Sequence, residues 1–284
     1  MKIDINQFLK PCSCGKEHKI LVDDIIIESG AINKLPEILK RERFADKKNI
    51  VMVCDENTYE VAGKQVEKLL SGIKKVVLNP ENLHANEHGV ALCEEGLTAA
   101  GEVDLMIAVG SGTVHDITRY HAYNKKIDFI SVPTAASVDG FVSTVAAMTW
   151  KGCKVSITAC SPVIVVADTD IFKNAPLRLT ASGVSDLLGK YTALADWKIA
   201  HILTREYICE EICEMEYKAL DSLKESLSGL TKKSTESYEA LMYGLLLSGL
   251  AMQMTGNSRP ASGAEHHMSH LWEMEVINDT IDFY

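Results

Sequence analysis

Four short, β-branched and almost uncharged runs, at residues 50–54, 75–78, 105–109 and 129–132, recur through the first half of the chain. Periodic stretches such as 61–70 lie between them, with apolar residues spaced for a helix. Strands that are apolar on both faces must be covered on both faces, so this alternation predicts a parallel sheet clothed in helices. Several runs end in Asp, Asn, Gly or Pro, where a buried strand meets its loop. Ligands are expected at those C-terminal strand ends.

The period changes near Asp168, after an apolar run at 155–167. From Pro176 onward apolar residues return every three or four positions, which predicts helices. One helical region opens at Pro176, and others cover 185–203, 207–227 and 238–254. Arg259-Pro260 introduces a last one. The expected architecture is α/β plus all-α: an α/β dinucleotide-binding domain over 1–167 and a helical metal- and substrate-binding domain over 168–284. With 284 residues, 46% of them hydrophobic, the chain can bury full cores.

A formal charge of -10 disfavours nucleic acid and anionic membranes. It also requires that any phosphate-bearing ligand be held by local groups: backbone amides, a metal or one well-placed Lys. The N-terminal MKIDINQFLK lacks the pattern of a signal peptide. The best apolar stretch, 162–167, is far shorter than the ~20 residues of a membrane span. A soluble, cytoplasmic protein is expected, with its eight cysteines reduced. Four of them (Cys54, Cys93, Cys153, Cys160) sit in apolar runs, where a thiol packs as a small hydrophobe.

Gly110-Ser111-Gly112-Thr113-Val114-His115-Asp116 follows one strand and precedes a helical run, the placement of a phosphate-cradling turn. His115 stands where the dinucleotide fingerprint has its third Gly, and a plain strand-to-helix turn favours Gly equally. Asp55 closes the first strong strand and serves either a ribose or the N-cap of the next helix. The loop from Pro133 to Gly140, with Thr134, Ser137 and Asp139, reads either as a ligand edge or as a polar turn. Asp186, read as standing at a helix start, is either a cap or a metal ligand.

His266 and His270 are four apart and share a helix face, a spacing that holds one metal or brackets one ligand. Otherwise they decorate a helix start capped by Ser262, with Glu265 in its first turn. Cys12-Ser13-Cys14 with His18 invites a zinc knuckle, but no second cysteine pair with finger spacing follows, so the segment reads as a structural loop. Cys209 and Cys213 read as part of an apolar helix face.

Taken in order, GSGTVHD, PTAASVDGF, SGVSDLLGKYTALADW and SGAEHHMSH resemble the glycerol-1-phosphate dehydrogenase family, within the superfamily of iron-type alcohol dehydrogenases and dehydroquinate synthases. The resemblance implies an active site in the cleft between an α/β and a helical domain. It implies NAD(H) or NADP(H), with Gly112, Thr113, Val114, His115 and Asp116 at the pyrophosphate, Gly110 and Ser111 in the same cofactor site, Asp55 at the adenosine ribose, and Thr134 and Ser143 at further parts of the dinucleotide. Asp139 would contact substrate. Asp186 and His266 would hold one divalent metal, zinc or nickel, and His270 would face the substrate and exchange a proton with it.

The implied reaction reduces dihydroxyacetone phosphate to sn-glycerol 1-phosphate, in a homodimer. Lys190 and Arg259 are candidates for the phosphate. Glycerol dehydrogenases share the loop Asp but space the two histidines three apart. The family's third metal ligand, a His in a His-Gly motif, has no counterpart up to Tyr284, so the helical domain is expected to be incomplete. Polyol oxidation and a catalytically silent nucleotide-binding fragment are the competing readings.

Overall fold

The computed structural model describes residues 3–274. Six strands form one wholly parallel sheet: β1 (Asp24–Glu28), β2 (Ile50–Asp55), β3 (Lys74–Leu78), β4 (Leu105–Gly110), β5 (Asp128–Pro133) and, after a hairpin of β6 (Val145–Trp150) and β7 (Cys153–Thr158), β8 (Ile164–Asp168). Their spatial order is β1-β8-β5-β4-β2-β3. Every residue of β4 and β8 is buried, as continuous apolar strands at the middle of a covered sheet must be. Helices α1 (Lys64–Leu69), α2 (Glu87–Ala100) and α3 (Gly112–Lys125) cover its faces over two separate apolar clusters.

The four runs read from the sequence are strands, and three further features emerge. β1 is three isoleucines between acids, too short to announce itself. The single apolar run at 155–167 is divided in two. Its first part is the second arm of the hairpin, and its second part is β8. The hairpin turns at Lys151 (φ 52°) and Gly152 (φ 76°), two successive left-handed residues that match the twist of the flanking strands. Cys153 opens β7 and is exposed, in contrast to the expectation of a packed thiol.

The second half is helical: α4 (Leu177–Thr204), α5 (Glu210–Leu230), α6 (Thr235–Thr255) and α7 (Ala264–Met274). The two helical regions expected after Pro176 are one. Pro176 sits at the N-cap of α4, where its missing N–H costs nothing. Asp186 is therefore well inside a helix, and the capping role is excluded. Gly183 is tolerated in this helix because a Cβ there would collide with the Ala136 carbonyl oxygen. The start of α7 is capped from α4: Asp196 Oδ2 accepts the Ala264 N–H at 2.7 Å, in place of the expected Ser262.

The helices enclose a third large core around Leu187, Trp197, Leu220 and Leu245. Ile3, Ile5 and Val22 from the N-terminal segment are buried in that same core. Among the described residues no helix is long and apolar enough to cross a membrane.

Candidate active site

β2 runs on to its neighbour β3, whereas β4 runs on to β5 on the other side. The chain therefore departs in opposite directions from the adjacent C-terminal ends of β2 and β4, which opens a crevice there. A cleft of about 880 Å³ occupies this position, lined among others by Asp55, Ser111, Thr113, Thr134, Asn174 and Arg178. That volume suits a large organic ligand.

Gly110 is dictated by packing, since a Cβ would stand 2.5 Å from that of Val114 where α3 leaves the sheet. Gly112 is different. The nearest atom to its would-be Cβ is Val138 Cγ2 at 3.7 Å, so the protein leaves the space beside it open. The N–H groups of the first turn of α3 have no intrahelical acceptor, and the helix dipole is positive at this end. An acidic protein thus presents a local anion site built from backbone N–H groups, with Arg178 lining the same cleft. The open face over Gly112 and the size of the cleft fit a dinucleotide.

Asp55 belongs to both readings given above. Its Oδ1 accepts the Thr58 N–H at 2.8 Å, and Thr58 Oγ1 accepts the Asp55 N–H at 3.0 Å, a complete capping box, while the residue also lines the cleft.

His115, Asp116 and Ser143, expected at the cofactor, are each engaged by the protein itself. His115 is buried, its Nδ1 on the Ser111 carbonyl (2.9 Å) and its Nε2 on Ser131 Oγ (2.7 Å). Burial, with Arg119 adding to it, pushes its pKa down to about 3, so the ring is neutral and acts as a strut. Burial raises Asp116 to about 6 against the pull of Arg119, 3.5 Å away. Arg119, wholly buried, donates to the carbonyls of Gly140 (2.6 Å), Phe141 (3.1 Å), Ser143 (2.7 Å) and Val145 (3.1 Å). Ser143 turns its hydroxyl to Val145. These residues hold the loop that carries Asp139, from behind.

That loop meets the helices in a buried charged cluster. Asp186 Oδ2 accepts the Asp139 N–H at 2.8 Å, and Lys190 Nζ bridges Asp186 Oδ1 (2.7 Å) and Asp139 Oδ2 (2.8 Å). Ser248 Oγ lies 3.0 Å from both Asp139 Oδ2 and Glu216 Oε1. Gly249 makes room for this: a Cβ there would be 2.5 Å from the Asp139 carbonyl oxygen. Burial raises the pKa of Glu216 to about 8, and its Oε2 has no partner. Glu216 is thus a neutral acid at pH 7. The Ser248 hydroxyl is within donating distance of both the Glu216 and the Asp139 carboxyl oxygens.

Burial and the neighbouring Asp139 raise Asp186, whereas Lys190 opposes them. Burial disfavours the Lys190 ammonium, but Asp139, Asp186 and Glu216 outweigh it and hold the pKa above its ordinary value. Three acids gathered about one ammonium make an acidic pocket, which suits a cation.

Lys190 is thereby committed to carboxylates, not free for a phosphate. Arg259 is likewise engaged, bidentate on Glu206 at 2.7 Å. Glu216 was missed in the sequence, although it stands within the apolar stripe of Ile212, Met215, Ala219 and Leu223 on α5, the mark of a buried acid.

On α7, His266 Nε2 and His270 Nε2 share a hydrogen bond of 3.0 Å, which brings the two rings to one point of the helix face. The pKa of His266 is lowered by lost solvent around the ring and then by His270, which keeps a nitrogen lone pair available. Asp186 and His266 offer a carboxylate and an imidazole, donors of the kind zinc and nickel take, but Asp186, His266 and His270 do not form a group with all ligand atoms within 4.8 Å of one another.

The family model described as "Iron-containing alcohol dehydrogenase" matches residues 26–176. The chain is 40% identical over 274 residues to the glycerol-1-phosphate dehydrogenase [NAD(P)+] of Halalkalibacterium halodurans, covering 94% of this chain and 67% of that protein. It is 38% identical to the enzyme of that name from Bacillus licheniformis, covering 97% of this chain and 69% of that protein. Among solved structures, an archaeal halo-thermophilic Red Sea brine pool alcohol dehydrogenase superposes with a TM-score of 0.75 at 17% identity, over 91% of this chain and 69% of that one. The chain spans about two thirds of the length of these relatives.

Proposed function

Because this chain belongs to the glycerol-1-phosphate dehydrogenase family of iron-containing alcohol dehydrogenases, we propose that it is an oxidoreductase that reduces dihydroxyacetone phosphate to sn-glycerol 1-phosphate with NAD(P)H, and catalyses the reverse. The observation that carries the reading is the likeness to enzymes of that name along almost the whole chain.

In this reading the amides of Ser111 to Val114 hold the pyrophosphate, with Gly112 allowing its approach, while Asp55 accepts from the adenosine ribose and Thr134 completes the cleft wall. When bound, the nicotinamide supplies hydride, and a divalent metal, zinc or nickel, supplies Lewis acidity at the substrate ketone. Asp186 and His266 would hold that metal. Asp139, anchored by Lys190 and Ser248, positions substrate at the same edge, and His270 exchanges a proton with its oxygen. The proposal takes in the division at about residue 167, with the site between the two parts, a homodimer, a cytoplasmic setting and either NAD(H) or NADP(H).

The test follows the nicotinamide absorbance of metal-supplemented protein with NADH, comparing dihydroxyacetone phosphate with dihydroxyacetone. Oxidation that requires both metal and the phosphate ester is expected. Equal turnover of dihydroxyacetone would replace the proposed substrate with a plain polyol, and NADH binding without turnover would leave only a nucleotide-binding chain.

A further inference from the structure

The N-terminal segment carries a second cluster of metal-type donors, which shares no residue with the site above. Cys12, Cys14 and His18 come from this segment, and Cys209 from the residue immediately before α5. Their three sulfur atoms and one imidazole nitrogen all lie within 4.8 Å of one another, the one such group among the described residues.

The edges are informative. Cys12 Sγ is 3.4 Å from Cys209 Sγ, and His18 Nε2 is 3.3 Å from Cys14 Sγ and 3.6 Å from Cys209 Sγ. A tetrahedral zinc ion with bonds of about 2.3 Å to sulfur and about 2.0 Å to nitrogen sets S···S edges of about 3.8 Å and S···N edges of about 3.5 Å. The observed spacings lie close to both. A disulfide, by contrast, needs sulfur atoms about 2.05 Å apart. Such a bond between Cys12 and Cys209 would also leave Cys14 and His18 without a purpose at this point.

The surroundings orient the donors as they do around a bound metal. His18 Nδ1 donates to the Met254 carbonyl at 2.7 Å, which fixes the tautomer and turns the lone pair of Nε2 toward the sulfurs. The Lys16 N–H and the Tyr207 hydroxyl approach Cys14 Sγ at 3.4 and 3.1 Å, bonds that a thiolate accepts well. Gly15, at φ 77°, lets the chain turn so that Cys14 and His18 face the same way, and its N–H closes the turn on the Cys12 carbonyl at 3.1 Å.

We propose that Cys12, Cys14, His18 and Cys209 form a structural site for one zinc ion. Three thiolates and one imidazole are a zinc donor set, and four protein ligands leave no open position for a substrate. The site has an architectural task. Residues 3–22 contain only one short 3-10 turn, Ile5–Phe8, yet Ile3, Ile5 and Val22 are buried in the helical core. Zinc ties this irregular segment to the N-terminal end of α5 and, through His18, to the C-terminal end of α6. It joins residues 197 positions apart, and clips that close long loops restrict the unfolded chain most. The metal therefore stabilises the body against which Asp139 and Asp186 are held.

The experiment uses the chain as purified under reducing conditions. Zinc is quantified by elemental mass spectrometry, and cobalt(II) is exchanged into the protein and its absorption recorded. One tightly held equivalent is expected, with cobalt giving thiolate-to-metal charge transfer and the intense visible bands of a tetrahedral ion. An oxygen and imidazole site such as Asp186 with His266 cannot produce the thiolate absorption, so failure of the proposed catalytic metal site and failure of this one are distinguishable. Cys14→Ser and Cys209→Ser should each weaken the charge-transfer band by about a third or more, and exposed Cys153→Ser should keep it in full. Should the two ligand variants not fold, the cobalt spectrum of the unaltered chain decides. Metal bound without thiolate absorption, unchanged bands in both ligand variants, or a Cys12–Cys209 disulfide in place of metal would overturn the assignment.

Discussion

Glu216→Gln should make the protein more stable, and increasingly so as pH rises. Glu216 is completely buried and its Oε2 has no partner, and burial lifts its pKa from an ordinary 4.5 to about 8. A carboxyl raised in the folded state binds its proton more tightly there than in the unfolded chain. The associated stability is fully present below pH of about 4.5 and is lost as pH climbs through about 8. At about 1.4 kcal/mol per pH unit, the loss approaches an order of 5 kcal/mol above pH 8 and is about 3 kcal/mol at pH 7. Glutamine has the same shape, retains a bond to Ser248 and cannot ionise.

Urea unfolding of the two proteins at pH 5, 7 and 8.5 measures the difference, provided that the m-value is unchanged. The expected result is near equality at pH 5, an advantage of about 3 kcal/mol for the variant at pH 7, and a larger one at pH 8.5. Parallel stability profiles would refute the reasoning, because they would mean that Glu216 titrates alike in the folded and unfolded chains. A variant that is weaker at pH 8.5 would mean that the ionised acid is needed by Lys190.

Lys190→Met leaves Asp139 and Asp186 together without their cation; a loss of about 3–5 kcal/mol is expected at pH 7, read by denaturation. The loss should shrink as pH falls, because burial already pushes the Asp186 carboxyl toward its protonated form. Gly183→Ala drives a methyl into the Ala136 carbonyl and should cost about 1–3 kcal/mol, lowering the melting temperature; an unchanged melting temperature would show that α4 and the 133–140 loop are not in firm contact. Asp55→Ala removes the capping box for about 1 kcal/mol of stability and should weaken NADH binding about tenfold by calorimetry. Stability loss without any change in NADH affinity would assign Asp55 to capping alone.

The sheet was readable because each strand is a local event. Residues 105–110 are apolar on both sides, and only a covered parallel strand accommodates that. The turn at Gly110 to Val114 was readable for the same reason, since a strand, a glycine turn and a helix follow one another within a few residues. The hairpin carried a local signal in Lys151-Gly152 that periodicity alone passes over.

What joins distant residues was not readable. Nothing near His115 says that it is buried against Ser131, and nothing near Lys190 says that Asp139 engages it. Cys12, Cys14 and His18 resemble a knuckle short of a ligand until the helical core brings Cys209, 197 residues away, to within 3.4 Å of Cys12. Sequence by itself determined four of the six sheet strands, the helical character of the second half and the turn at the sheet edge, because backbone propensity and hydrophobic period act over a few residues. Tertiary structure alone decided which charges share a buried space and which sulfurs share a point. Desolvation and metal coordination depend on distance in space, and packing sets that distance irrespective of separation along the chain.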